Sequence, residues 1–394
     1  MTSQISTAVS SLSEILDSRP ELLALGEPTH REPAIARLRN GMLRTLAEHG
    51  FRSIVLESDQ IAALKVDAYV RDGAGTLDQA MAEGFSHEFG ESAANRELVE
   101  WMRAYNEGRP AGEQVAFHGM DAPLETMSVP SPRPYLLHLH AYLAGHLGAD
   151  AFLHGHADLE GLLGDDERWS AMAAVMDPEK SVGGSPEAMA LRVIADDLLT
   201  VLRAQAPGLA AASSPVAWRH AEMHGRAAIG LLRYHAQAAE HRTPAARWSR
   251  LGGVRDALMA ENLLAIRAAE RHRGPTLVFA HNLHLQRRPV SMGMGDMDVE
   301  FPSVGAIMAA VSDPFPFIAG SLGTSEVLGL GTPAADTYEG ALQEVTTDSA
   351  FFAADRLREA LPVARTRTDT TPEQGYFPLD GDLLLRCDAV LHVA

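Results

Sequence analysis

A chain of 394 residues with a single cysteine, Cys387, can form no internal disulfide and no cysteine metal cluster, as is usual for proteins of a reducing compartment. Basic residues are also scarce, 33 Lys and Arg against 52 Asp and Glu, leaving a formal charge of -19 and a pI near 5.3. Such a chain is repelled by nucleic acid and by anionic membrane surfaces, which leaves a small molecule as the expected ligand and neither nucleic acid nor membrane as partner. No stretch reaches the apolar length of a membrane span, and the segment MTSQISTAVSSL has neither a basic region nor a long apolar one, so the expected location is the cytoplasm. Two catalytic signatures are missing. There is no GxSxG nucleophile elbow and no HExxH zinc helix, so neither a serine esterase of the α/β-hydrolase kind nor a zincin is expected.

What is present is a pair of buried-strand patterns that each end in histidine. LLALGEPTH closes on Glu27 and His30, and TLVFAHNLH, about 250 residues later, closes on His281 and His284. Ionisable groups at the ends of buried strands are how open α/β sheets build active sites. Around them the pattern alternates. An amphipathic helix is expected at about 4–18, a strand at 22–25, a helix over 31–49, a strand in FRSIVLES ending at Glu57 and Asp59, a helix over 94–105, and a strand in QVAFHGMD ending at Asp121. Strand-like runs return as TLVFAH, FPFIAGS and DAVLHV. This predicts an α/β fold, a mostly parallel sheet flanked by helices, with a large helical insertion forming a cap. The expected division is 1–127 for the N-terminal half of the core, 128–273 for the helical cap, broken at PSPRP, VGGSP, QAPG and HRTP, and 274–394 for the C-terminal half. MGMGDMD (292–298) and GTPAAD (331–336) read as flexible loops at the pocket mouth.

LGEPTH, VLES, WMRAYN, FHGMD, RDALMAEN and AHNLH, in that order, with SVGAIMAA and RCDAVLHV after them, resemble the signature of the erythromycin esterase family. The resemblance covers most of both α/β halves and, in the helical middle, mainly its last helix. It implies a metal-free hydrolase, with His30 as general base and Glu27 and Glu57 as its acids. It also implies that Arg39 belongs to the site. In the family's resistance enzymes the bond cleaved is a macrolide lactone, and relatives acting in natural-product pathways leave the substrate open. This chain departs from the pattern after GEPTH, where a glycine is common and Arg31-Glu32-Pro33 stands instead.

Ester hydrolysis needs a base for water, donors for an oxyanion and an acid for the leaving alkoxide. His30 suits the first role, oriented by Glu27 or Glu57. His281 is expected to act in catalysis or transition-state stabilisation, and His284 to support it or touch substrate. Arg39, Arg255, Asn282, Asp121 and Arg31 complete the substrate or oxyanion set. No cofactor and no metal are assigned, although the HNLH spacing leaves a metal-dependent hydrolase open. A tailoring enzyme and a non-catalytic small-molecule binder also stay open. Plainer readings stand beside each residue. Glu27 and His30 also fit a helix start capped by Thr29, and Arg39 fits an exposed helix residue. Arg255, Met259 and Asn262 share one helix face, expected to line a polar pocket, while Trp101, Met102 and Tyr105 are expected in the core. His138, His140, His154 and His156 are expected to be solvated or hydrogen-bonded.

Overall fold

The computed structural model describes residues 5–125 and 128–394. Along the chain the strands are β1 (Val9–Ser10), β2 (Leu22–Glu27), β3 (Ser53–Asp59), β4 (Ala116–Asp121), β5 (Thr276–His281), β6 (Pro289–Met294), β7 (Met297–Pro302), β8 (Phe317–Leu322), β9 (Ser349–Ala353) and β10 (Ala389–Val393). Eight of them form one sheet in the order β1-β9-β10-β8-β2-β5-β3-β4. From β10 to β4 every neighbouring pair is parallel, and β9 and β1 add an antiparallel edge. All six strand runs read from the sequence lie in this parallel part.

Strands β2, β5 and β8 are buried along their whole length, as expected of a sheet covered on both faces. Successive side chains alternate between two cores. Leu23, Leu25, Ile54, Leu56, Leu277 and Phe279 pack with the helices Pro33–Glu48 and Ala93–Asn106, through Ile35, Leu43, Leu98 and Met102. Ala24, Val55, Val278 and Ala280 pack on the other face with Met259, Leu263 and Met308.

Between Arg133 and Glu270 the described residues form helices and no strand. The longest are Arg133–Leu147, Pro186–Ala204, Pro215–Ala238 and Pro244–Glu270. The last three each begin with proline, which has no N–H to leave unpaired in a first turn. These helices have their own core around Leu139, Leu191, Leu198 and Trp169. A smaller cluster of Leu124, Leu231, Tyr234, Leu251 and Leu258 ties them to the segment after β4. The helix Pro244–Glu270 therefore spans both regions, with Leu251 and Leu258 in that cluster and Met259 and Leu263 under the sheet. The expected boundary at 127 touches residues 126 and 127, which lie outside the described residues. No helix of the described chain is long and apolar enough to cross a membrane.

Two expectations are corrected. The helix expected at about 4–18 begins outside the described residues and is broken, because Val9–Ser10 pairs with Phe352 and Phe351 of the exposed β9 edge and only Leu12–Leu16 is helical beyond it. A sheet edge offers hydrogen bonds that override weak helical propensity. MGMGDMD is not a loop. It is the tip of the β6–β7 hairpin, whose two-residue turn is made by Gly295, at φ 59°, and Asp296.

One contact shapes the sheet centre. β2 and β8 pair only through Ala24 and Leu25, and beyond them Asn282 bridges the gap, accepting from Gly320 N–H at 3.0 Å and donating to Gly320 C=O at 2.8 Å. Gly26 is required there, since a Cβ would stand 2.1 Å from Asn282 Oδ1. Asn282→Ala strands two buried peptide groups and is expected to lower stability by about 2–4 kcal/mol. Thermal or denaturant unfolding of the variant measures this directly.

Candidate active site

Four adjacent parallel strands carry an ionisable side chain at the same end: Glu27 on β2, His281 on β5, Glu57 on β3 and Asp121 on β4. Parallel register makes this unavoidable, since Glu27 pairs with His281 and Leu56 with Phe279. The helix Pro244–Glu270 adds Arg255 and Asp256 from one face, and the turn after β2 adds His30. The result borders a cavity of about 920 Å³.

Glu57 is the hub. Its Oε1 lies 3.2 Å from His284 Nε2, 3.2 Å from Arg255 Nη2 and 3.7 Å from His30 Nε2, while Oε2 accepts from the backbone N–H of His281 at 2.9 Å. Burial alone would favour a neutral acid, but the charges of His284, His30 and Arg255 hold Glu57 well below the usual carboxylate range. Arg255 also binds Asp121, the shortest contact being 2.6 Å. Burial of Asp121 is outweighed by Arg255 and His87, so it too stays below its ordinary pKa.

His30 Nδ1 is 2.8 Å from Glu27 Oε1. A carboxylate only accepts, so Nδ1 carries the hydrogen, and in the neutral ring Nε2 holds the lone pair. Burial opposes protonation of His30, yet Glu57 and the bond to Glu27 prevail and raise its pKa above 6.5. Its ring rests against Phe89 and His281, with centroids 5.1 and 5.2 Å away.

The HNLH histidines divide their work differently from the expectation. His281 caps the short helix Asn282–Leu285, its Nδ1 accepting from Leu283 N–H at 3.2 Å, and its other hydrogen bond goes to the Pro28 backbone. Burial, helped by the neighbouring His30, pushes it down to about 3, so it is a neutral ring with both nitrogens engaged. His284 sits between Asp256 and Glu57, at 2.9 and 3.2 Å. Although burial disfavours its charge, these two carboxylates push it up to about 10. It is the ion that locks Glu57. Both rings have their nitrogens committed, and among the described residues no group of three His, Cys, Asp or Glu side chains is placed to hold a metal ion.

Several other expected residues fall outside the cavity. Arg39 is neither exposed nor in contact with the pocket. It is buried, binds Asn40 and Asn95, stacks over Phe279 at 4.7 Å, and is pushed down to about 10 by burial. Asn282 spends its amide on Gly320, so it shapes the sheet rather than touching substrate. Asp121 is fully buried and positions Arg255. Of the helix face read as a pocket wall only Arg255 reaches the cavity, because Met259 is core and Asn262 binds the Met120 carbonyl at 2.9 Å. Arg31 lines the cavity rim and donates to the Glu373 carbonyl at 2.6 Å. Trp101, Met102 and Tyr105 pack in or against the core. Asp256, His87 and Phe89 went unread in the sequence. Asp256 adjoins Arg255, and an acid beside an arginine on a helix is too common a pattern to single out.

The family model for erythromycin esterase matches residues 46–394. The chain belongs to the erythromycin esterase family. The matched span starts beyond Glu27, His30 and Arg39, so those positions rest on the geometry. No curated protein matches the sequence. Among solved structures, a Bacillus cereus protein shares the fold with a TM-score of 0.71 at 18% identity, over 100% of this chain and 97% of that one. A mutant of the erythromycin esterase EreC in its open conformation has a TM-score of 0.66 at 20% identity, over 97% and 92% of the two chains. A succinoglycan biosynthesis protein has a TM-score of 0.66 at 15% identity, over 100% and 95%. Membership in the erythromycin esterase family supports a hydrolase of that family.

His284 gains affinity for its proton on folding, because its folded pKa of about 10 exceeds the unfolded value near 6.5. That stabilisation is complete below pH 6.5 and is lost as the pH rises toward 10. The melting temperature is therefore expected to fall over this range, and His284→Gln to flatten the slope while lowering stability near neutrality. Melting curves across pH test both.

Proposed function

We propose that the protein hydrolyses an ester or lactone of a small natural product, with His30 as the general base that activates water. The observation that carries this reading is the state of His30. Its Nδ1 is fixed on Glu27, its Nε2 has Glu57 3.7 Å away and no hydrogen bond among the described residues, and it borders the cavity. Water held at Nε2 loses a proton to it as oxygen attacks the carbonyl carbon. Glu57, 3.7 Å from Nε2, stabilises the imidazolium as it forms. Arg255 faces the same cavity, and none of its contacts within the described residues uses Nη1, which is the donor for the developing oxyanion. With Asp121 and Glu57 holding the guanidinium in place, little reorganisation is needed when charge appears.

The cavity suits a bulky, largely apolar substrate. Phe89, Trp248, Leu251 and the hairpin residues Met292, Met294 and Phe301 line it, and its volume is that of pockets for drug-sized molecules. Methionines adapt to irregular shapes, and the hairpin brings two of them. A macrolide-like lactone fits this description, and a biosynthetic intermediate of similar size fits it equally. The chemistry as written uses no metal and no cofactor, and the net charge favours a small-molecule substrate over a nucleic-acid or membrane partner.

Purified protein assayed on a panel of lactones and alkyl esters is expected to show turnover that survives a chelator. His30→Ala is expected to lower kcat by roughly 10²–10⁴ with KM little changed. Turnover lost to chelation and restored by a divalent ion would sink the proposal. Activity is further expected to rise with pH as His30 loses its proton, around a midpoint above 6.5. Glu27→Gln removes one of the charges that raise this pKa, so the midpoint should move to lower pH while the rate falls.

A further inference from the structure

The groups described so far supply a base for water and a donor for the oxyanion, and the one acid among them for the departing alcohol is His30 itself, after it has taken the water proton. We propose that His87 is instead the acid for the alcohol, an assignment that rests on the hydrolase reading and extends it. His87 follows the helix Leu77–Glu83 and lines the same cavity as His30. Its Nε2 is 3.1 Å from Asp121 Oδ2 and its Nδ1 is 3.3 Å from Glu125 Oε2. Both partners are carboxylates, which accept and do not donate, so each ring nitrogen faces an acceptor. The two contacts differ in permanence. Asp121 is wholly buried, whereas the Glu125 side chain is 55% exposed, so a substrate oxygen can displace Glu125 and meet the Nδ1 hydrogen. His87 and His30 share one neighbour, the Phe89 ring, with centroids 5.8 and 5.1 Å from it. Base and acid thus stand against one aromatic wall, joined through Asp121, Arg255 and Glu57.

The backbone supports the same conclusion. His87 and Glu88 are consecutive non-glycine residues in the left-handed region, at φ 56° and 61°. Such residues are uncommon and persist where the surroundings hold them. Here Ser86 N–H donates to Ser58 Oγ at 3.0 Å and Ser86 Oγ accepts from Asp59 N–H at 2.9 Å. The effect of the left-handed backbone is to aim an imidazole at the cavity.

The protons balance. His30 takes one from the attacking water as the new C–O bond forms. When the tetrahedral adduct collapses, the bond to the alcohol oxygen breaks, and that oxygen leaves with the electron pair and a proton from His87. After turnover His30 returns its proton to solvent and His87 regains one, while the carboxylic acid product ionises.

An acid matters for a poor leaving group and little for a good one. The test therefore uses the acyl group that the wild type hydrolyses fastest, prepared as an alkyl ester and as a nitrophenyl ester. His87→Asn keeps a residue that tolerates the left-handed backbone, and His87→Gln serves as the second variant if the first melts at lower temperature. The expected result is a fall in kcat/KM at least about tenfold larger on the alkyl ester than on the nitrophenyl ester. Equal loss on both esters, or loss on neither, overturns the assignment. Failure of the hydrolase reading looks different: the wild type then turns over no ester on the panel, before any variant is made.

Discussion

The Glu57 carboxylate is the charge on which the site depends. An unpaired carboxylate at its depth would cost several kcal/mol, and the protein offsets that with two fixed cations, His284 and Arg255, and with His30 alongside. Each cation is in turn held by a second buried acid, His284 by Asp256 and Arg255 by Asp121. The alternation of sign fixes every member in place. It also separates two histidines of one HNLH motif into a cation at about 10 and a neutral ring at about 3. Proximity to two carboxylates makes the difference, since burial lowers both.

This network spans parts of the chain that would otherwise be independent. Strands β2, β3, β4 and β5 supply four of its members, and the long helix Pro244–Glu270 supplies Arg255 and Asp256. That helix is anchored under the sheet by Met259 and Leu263 and among the cap helices by Leu251 and Leu258. The helical region and the sheet thus border the cavity through one shared helix. The β6–β7 hairpin closes the remaining side with methionine and phenylalanine, so the charged floor and the apolar wall come from different segments.

Much of this was legible in the residues. Six buried-strand runs, their ionisable ends and the strand-helix alternation were enough to put Glu27, Glu57, Asp121 and His281 at strand ends, and the register set them side by side at one end of the sheet. His30 was legible as a candidate because neutral imidazole near a strand-end glutamate suits a base and because GEPTH resembles the family motif. Less legible were residues whose meaning depends on a partner distant in sequence. Arg39 has the appearance of an ordinary helix arginine and is buried beside Asn95 and Phe279. Asn282 sits between two site histidines and serves the backbone of β8. His87 follows an unremarked turn, and nothing local announces its left-handed backbone.

The sequence by itself determined the fold class and the strand ends, because periodicity and burial are local properties of a run of side chains. It also determined the acid-base character of the site, since Glu and His at those ends leave few other chemistries. Only the tertiary structure decided which histidine is charged, which arginine meets the cavity and which asparagine is structural. Those outcomes depend on distances of about 3 Å between residues as far apart as Glu57 and His284 or Asp121 and Arg255. Electrostatic energy falls off with separation and rises with burial, and neither quantity exists until the chain has folded.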